Sequence, residues 1–391
     1  MTSAPGKDTE VLSVSIAAGP STPALLDLIG ADPKGRQIGL LSSSTPHRSS
    51  GLTTFYLPPG SDPERIVSEI RLIAGKRTVD QLIIECEPDR APMAYASLFV
   101  ASNHLPQTLG DVSQLTASVF AIQPRTLLDT ILGRGTNLLP PCFVAEQLEF
   151  GSRIFLQGIC GDEDFELART IASALNPRAQ ILPLNPDALE NRRDFRGISF
   201  DFEAALNSAG WRQLLDSEQP AHIPDKRVTA FGYHGRRPFH PERFWNLLER
   251  GWRGVFRAKG FFWLATRMDE VGGVNLAGSE LHCASAGAWW AARDQSTRES
   301  EMPERTRAEW QEPFGDRRQS FGVMALDVDR TALRSSLDGC LLTDKEMTAG
   351  RDTWAKFPDP FPSWSSNPHA HHHDHECDHH HDSEEHDCCH H

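Results

Sequence analysis

Short, nearly continuous apolar runs alternate in the first half of the chain with stretches whose apolar residues recur every three or four positions. The runs Val11–Ile16, Gln37–Leu41, Gln81–Glu85, Ala117–Ile122, Arg153–Leu156 and Gln180–Leu184 predict buried strands. Between them, Pro63–Ile73, Arg125–Leu132 and Glu163–Leu175 have the spacing of amphipathic helices. Ala17-Ala18-Gly19-Pro20-Ser21 predicts a loop, with Thr22 as cap and Pro23 at the first position of a further helix. Strands that alternate with helices predict a parallel sheet with right-handed crossovers.

A second pattern begins near Phe231. Pro238 and Pro241 bracket Phe239-His240, and a proline suits a helix start because its missing N–H has no intrahelical partner there. Phe244, Leu247 and Leu248 give that helix one apolar face, and Gly251 ends it. Val255-Phe256 and Gly260–Ala265 then read as buried strand, so helix and strand predict an α+β unit. Further strands are expected around Ala288–Trp290 and Gln319–Leu326. Helices are expected from near Asp329 and after Thr343, which stands at capping-box spacing from Glu346. Lys356–Pro362 carries three prolines and stops regular structure. The polar stretch Asp216–Lys226 predicts a boundary, giving domains at 9–215 and 227–364 and a tail at 365–391.

Charge narrows the function. With 39 Lys+Arg against 53 Asp+Glu the formal charge is −14, the wrong sign for a nucleic-acid partner. No apolar run approaches membrane-spanning length, and the polar first ten residues carry no signal. The eight cysteines show no disulfide framework, which predicts a cytoplasmic protein.

The run RRPFHPERFWNLLERGWRGVFRAKGFFWLA, with Ala288-Trp289-Trp290, Phe314-Gly315-Asp316-Arg317-Arg318-Gln319 and Leu341-Leu342-Thr343-Asp344, resembles the C-terminal domain of CobW-type proteins. That family consists of P-loop GTPases regarded as metallochaperones, many handling zinc. The resemblance spans roughly 228–364, and the order of strands and helices before it is similar to the family's GTPase half. It implies an α/β protein: a P-loop-NTPase-like parallel sheet domain, a smaller α+β CobW C-terminal domain, then a His-rich tail.

The family's nucleotide motifs are largely missing. A P-loop needs Gly-x-x-x-x-Gly-Lys-Ser/Thr, so that glycines let the backbone wrap phosphates, Lys neutralises them and the hydroxyl binds Mg²⁺. In register stand Val14 for the first glycine, Gly19 for the second, Pro20 for the lysine, then Ser21 and Thr22. Gly19, Ser21 and Thr22 are thus a vestigial phosphate site, or an ordinary strand-to-helix turn. The base-reading Asn-Lys-x-Asp is replaced by Gln157-Gly158-Ile159-Cys160, and the Glu-Thr-Thr-Gly run by Glu85-Cys86-Glu87-Pro88. The Cys-x-Cys-Cys metal motif falls at Gly51–Phe55, which has no thiol. The expectation is a degenerate GTPase that does not use GTP and Mg²⁺. In the second domain His234, His240 and Cys283 beside His282 are ligands or ordinary structural residues. Arg236, Arg237, Arg257 and Lys259 form a basic group open to a nucleotide or an acidic partner, or plain solvated surface.

The tail carries the strongest chemistry. His369, His371, His372, His373, His375, Cys377, His379, His380, His381, His386, Cys388, Cys389, His390 and His391 lie there, eleven of the 17 histidines and three of the eight cysteines. Seven acids are interleaved with them, and no Lys or Arg. Nothing in it packs, so disorder without metal is expected. Imidazole, thiolate and carboxylate together suit Zn²⁺, with Ni²⁺, Co²⁺ or Cu also accommodated, in several exchanging sites. The expected role is a zinc metallochaperone, buffer or accessory subunit whose partners are a metal ion and a client metalloprotein or a CobW-type homologue. Two alternatives stay open: a divergent but active GTP-dependent metallochaperone, and an interaction partner of an active homologue.

Overall fold

The predicted alternation closes into a seven-stranded sheet with every neighbouring pair parallel, in the order β3-β2-β4-β1-β5-β6-β7. The computed structural model describes residues 11–31, 37–43, 51–100, 108–134, 139–185, 200–216, 223, 225–250 and 252–364. The strands are β1 Leu12–Ala18, β2 Ile38–Ser42, β3 Leu52–Tyr56, β4 Gln81–Glu85, β5 Ser113–Ile122, β6 Arg153–Leu156 and β7 Gln180–Pro183. The helices between and after them are α1 Thr22–Gly30, α2 Pro63–Lys76, α3 Pro92–Ala96, α4 Pro124–Ile131, α5 Pro141–Phe150, α6 Glu163–Leu175, α7 Phe202–Leu206 and α8 Gly210–Asp216. β1, β2 and β5 are buried along nearly their whole length because helices cover both faces, so these strands read as continuous apolar runs.

A five-stranded antiparallel sheet follows, in the order β11-β10-β9-β12-β8. It comprises β8 Val228–Gly235, β9 Val255–Phe262, β10 Glu270–Ala277, β11 Glu280–Ala288 and β12 Gln319–Leu326. Its helices are α9 Pro241–Glu249, α10 Gln295–Glu301, α11 Glu304–Ala308, α12 Arg330–Asp338, α13 Asp344–Ala349 and α14 Arg351–Trp354. Phe244 of α9 stacks on Phe239 at 4.2 Å between ring centres and meets Phe262 of β9 edge-on at 5.0 Å. This is the aromatic helix-on-strand unit the sequence predicts. Asp329 caps α12, and Thr343 with Glu346 forms the capping box at α13.

Five elements went unpredicted in the first sheet and its helices: β3, α3, α5, α7 and α8. Helix α5 buries Cys142, Val144, Ala145, Gln147, Leu148, Glu149 and Phe150, so no polar face marks its period. In the second sheet β10 and β11 are rich in glycine, alanine and polar residues, and β11 lies at an edge with much of its length exposed. Ala288 ends β11, and Trp290–Ala292 is a 3-10 turn rather than strand. Ala17 and Ala18 belong to β1, not to the loop after it.

The two sheets share one core. Ala209, Trp211 and Leu214 of and beside α8 pack with Val228, Ala230, Met324 and Leu326, and with α4 to α6. Helix α8 lies on β8 and β12 where two glycines, Gly232 and Gly322, face each other across the strands. A Cβ on Gly322 would stand 2.6 Å from the Trp211 carbonyl oxygen, and one on Gly232 would strike the Leu214 carbonyl. The glycine pair is what lets the helix backbone reach the sheet.

Candidate functional site

Strand β1 delivers the chain to the place where a P-loop would begin. Gly19 follows it at φ +100°, and any side chain there would collide with the Ala121 carbonyl. Pro20 has no N–H to offer. The Ser21 N–H donates to the Ala121 carbonyl oxygen at 2.9 Å, and the Thr22 N–H to the Gly19 carbonyl at 3.0 Å. The Thr22 hydroxyl donates to that same carbonyl at 2.7 Å. Thr22 therefore starts α1 instead of capping it. The position before the helix is Ser21, whose side chain makes no capping bond. Ser21 and Thr22 are buried. Gly19, Ser21 and Thr22 are thus together, in a turn whose Ser21 and Thr22 amides bond to the protein itself.

The neighbouring motif positions are likewise tied inward. At the end of β4 the Ser42 hydroxyl donates to Glu85 at 2.5 Å, and the Glu87 carboxylate accepts the Gly60 N–H at 2.7 Å. Burial and the adjoining Glu85 carboxylate push the Cys86 thiol far up. Gln157 after β6 donates its N–H to Ile122, while Ile159 and Cys160 are exposed. Gly51 precedes the edge strand β3, so the segment aligned with the family's metal motif is a strand without thiols.

The basic group of the second domain is divided rather than pooled. Arg236 donates to the Glu309 carbonyl at 2.8 Å, and Arg237 pairs with Asp344 at 2.5 Å. Arg257 is fully buried and makes two bonds to Glu149 of α5, at 2.6 and 3.0 Å, and another to Asn275 at 2.6 Å. Burial opposes its charge, but the Glu149 carboxylate outweighs that and holds its pKa above the ordinary value. Lys259 pairs with Glu146 at 2.8 Å. These cations fasten elements together.

The histidines separate too. His234 lies on β8 with Nδ1 3.4 Å from the Ser320 hydroxyl. His240 precedes α9 and stacks on Phe357 at 4.6 Å, and burial followed by Arg243 lowers its pKa, keeping the imidazole neutral. Cys283 packs against the aromatic core, and burial pushes its thiol up to about 12. Its neighbour His282 turns the other way along β11, and its Nε2 lies 2.7 Å from Glu280 Oε1. Among the described residues, one set of three donors converges: Cys142, Glu280 and His282, with ligand atoms within 4.8 Å of one another. Cys142 opens α5 in one domain, and Glu280 and His282 stand two apart on β11 in the other. Burial pushes the Cys142 thiol up to about 12, against the pull of Arg257. Burial also works against the Glu280 carboxylate, but the Cys142 N–H and His282 prevail and hold it low. Sequence reasoning missed Cys142 and Glu280. The period-two pair on one strand was visible, but nothing in it pointed to a cysteine 138 positions earlier. The tail donors from His369 to His391 lie outside the described residues.

Comparison with known proteins follows the same division. Residues 228–341 match the family described as "Cobalamin synthesis protein cobW C-terminal domain". The chain is 27% identical over 321 residues to the "Zinc-regulated GTPase metalloprotein activator 1" of Dictyostelium discoideum, covering 76% of this chain and 67% of that one. It is 36% identical over 152 residues to a zinc chaperone of Mycobacterium tuberculosis, spanning 38% of each chain. A crystal structure of the Zn(II)-bound YjiA GTPase from E. coli superposes at a TM-score of 0.35 with 13% identity, covering 85% of this chain and 99% of that one. The chain joins a parallel-sheet α/β unit to an antiparallel one. Its residues 228–341 are a CobW C-terminal domain. No helix among the described residues is long and apolar enough to cross a membrane.

Proposed function

We propose that this chain is a metal-handling protein, a zinc metallochaperone, buffer or accessory subunit, whose nucleotide site has lost its function. The observation that carries the metal half is the tail at 365–391, eleven imidazoles and three thiols attached behind a CobW C-terminal domain. Relatives named for zinc and for metalloprotein activation support it. The β1–α1 turn supports the loss of nucleotide use: Pro20 supplies neither charge nor donor, and the Ser21 and Thr22 amides already have protein acceptors. The metal ion is cargo, passed to a client metalloprotein or held beside an active CobW-type homologue.

A second reading is a divergent GTP-driven metallochaperone. It draws on the Dictyostelium relative, whose name includes GTPase and whose similarity extends over 76% of this chain. Measuring zinc content and affinity of the full-length protein beside a version ending at Trp364, and titrating each with Mg-GTP, separates the two. Zinc carried by the tail without nucleotide turnover is the expected result. Turnover of GTP would select the second reading.

A further inference from the structure

We propose that Cys142, Glu280 and His282 form a thiolate-containing metal site that bridges the two domains and takes a borderline-soft dication such as Zn²⁺. Thiol, imidazole and carboxylate are the donor set for that ion, and three protein ligands leave one position of a tetrahedron for water or an incoming donor. The three donor atoms lie within 4.8 Å of one another. Ligands around one zinc at about 2.0–2.3 Å stand about 3.3–3.7 Å apart, so shifts of about 1 Å close the set.

Each donor is aimed by something else. The Cys142 N–H donates to Glu280 Oε2 at 2.9 Å, which fixes the carboxylate against the start of α5. The Gly278–Ser279 turn between β10 and β11 lies against Thr130, Ile131 and Pro141, and this holds the hairpin over that helix. The Cys142 thiol donates weakly to the carbonyl oxygens of Glu280 at 3.7 Å and Asn275 at 3.8 Å, long bonds that a metal–sulfur bond can replace. His282 and Glu280 share a proton across 2.7 Å, and a cation takes the same two lone pairs. On binding, the Cys142 thiol releases its proton to solvent and the His282 proton moves to Nδ1. Thiolate and carboxylate then neutralise the dication. His282 is 59% exposed, so the ion enters from its side. Because α5 and β11 belong to different domains, the bound ion is a cross-link between them.

None of these three donors belongs to the tail, and the test removes the tail's thiols while keeping the full chain. Cobalt(II) alone is titrated into reduced protein carrying Cys377→Ser, Cys388→Ser and Cys389→Ser. The expected result is a sulfur-to-cobalt charge-transfer band whose limiting intensity corresponds to one thiolate–cobalt bond per chain, whatever cobalt the tail histidines take up. The band disappears on adding Cys142→Ser, survives Cys283→Ser, and needs about tenfold or more cobalt after His282→Ala, an exposed position that leaves the fold intact. No band in the parent chain, a band that survives Cys142→Ser, or an unchanged affinity in His282→Ala overturns the proposal. Histidine-only cobalt binding in the tail gives no sulfur band, so the reading of the tail stands or falls separately.

Discussion

At the scale of single residues, Pro20 carries the most weight. It removes the phosphate-neutralising amine and an amide donor together, next to an amide already bonded to Ala121. Mg-GTP is expected not to bind more tightly than about 10 µM, about 7 kcal/mol from the 1 M standard state. Pro20→Lys alone should restore neither binding nor hydrolysis, because Val14 still occupies the first glycine position and Gln157-Gly158 the base site. Isothermal titration of both proteins checks this, and recovery in the single variant would refute it. Glu346 makes a second prediction at this scale. Hydrogen bonds from Arg243 lower its pKa from 4.5 to about 2, against some burial and with help from the Thr343 cap. A carboxylate lowered in the folded state adds stability that is fully present above its unfolded value and is lost as pH falls through the folded one. The stability gap between wild type and Glu346→Gln should be flat above about pH 5 and shrink towards about pH 2. A gap unchanged by acid in chemical denaturation would exclude this ion pair as its source.

At the scale of elements, helix α5 joins the domains through one face: Cys142, Glu146 and Glu149 sit four and three residues apart and meet Glu280, Lys259 and Arg257. Glu149→Ala leaves the fully buried Arg257 without its carboxylate, and the expected loss is about 3–5 kcal/mol in denaturant unfolding. Gly322→Ala should cost about 1–3 kcal/mol by forcing α8 off the sheet, since its new methyl meets the Trp211 carbonyl. An unchanged midpoint would mean the helix yields freely. Both effects rest on long-range approach, and that is also where sequence reasoning stops. Strands β4, β6 and β12 and helix α6 were legible to the residue, because an apolar run or an amphipathic face is a local signal. Helix α5 was not, because eight of its ten residues are buried and leave no continuous polar face. The hairpin β10–β11 was not, since its small and polar residues carry no apolar period. The β1–α1 turn was legible as missing P-loop residue types, but only the fold shows its amides bonded to Ala121 and Gly19. The meeting of Cys142 with His282 depends on how two domains pack, which no spacing along the chain encodes.

At the scale of the whole molecule, charge and ligands concentrate in one segment. Half of the formal −14 belongs to residues 365–391, with seven acids and no Lys or Arg among eleven histidines. On the proposed function, those acids would give a dication a favourable field near neutral pH, with imidazole and thiolate to supply the bonds. Histidine binds metal only as the neutral ring, and an unperturbed imidazole titrates near about 6.5, so protons compete directly below that. Cys377, Cys388 and Cys389 must also lose protons, from unperturbed values of about 8.5 until the metal lowers them. The full-length chain should therefore hold more than one zinc ion at about pH 7.5 and release most of it at about pH 5, where most imidazoles are charged and cancel part of the acidic field. The chain ending at Trp364 should lose the larger share of that capacity and unfold at the same temperature as the intact chain in metal-free buffer. Parallel zinc titrations at the two pH values decide it. Equal zinc on both chains would move the store out of the tail and into the body, where Cys142, Glu280 and His282 are the donors already gathered.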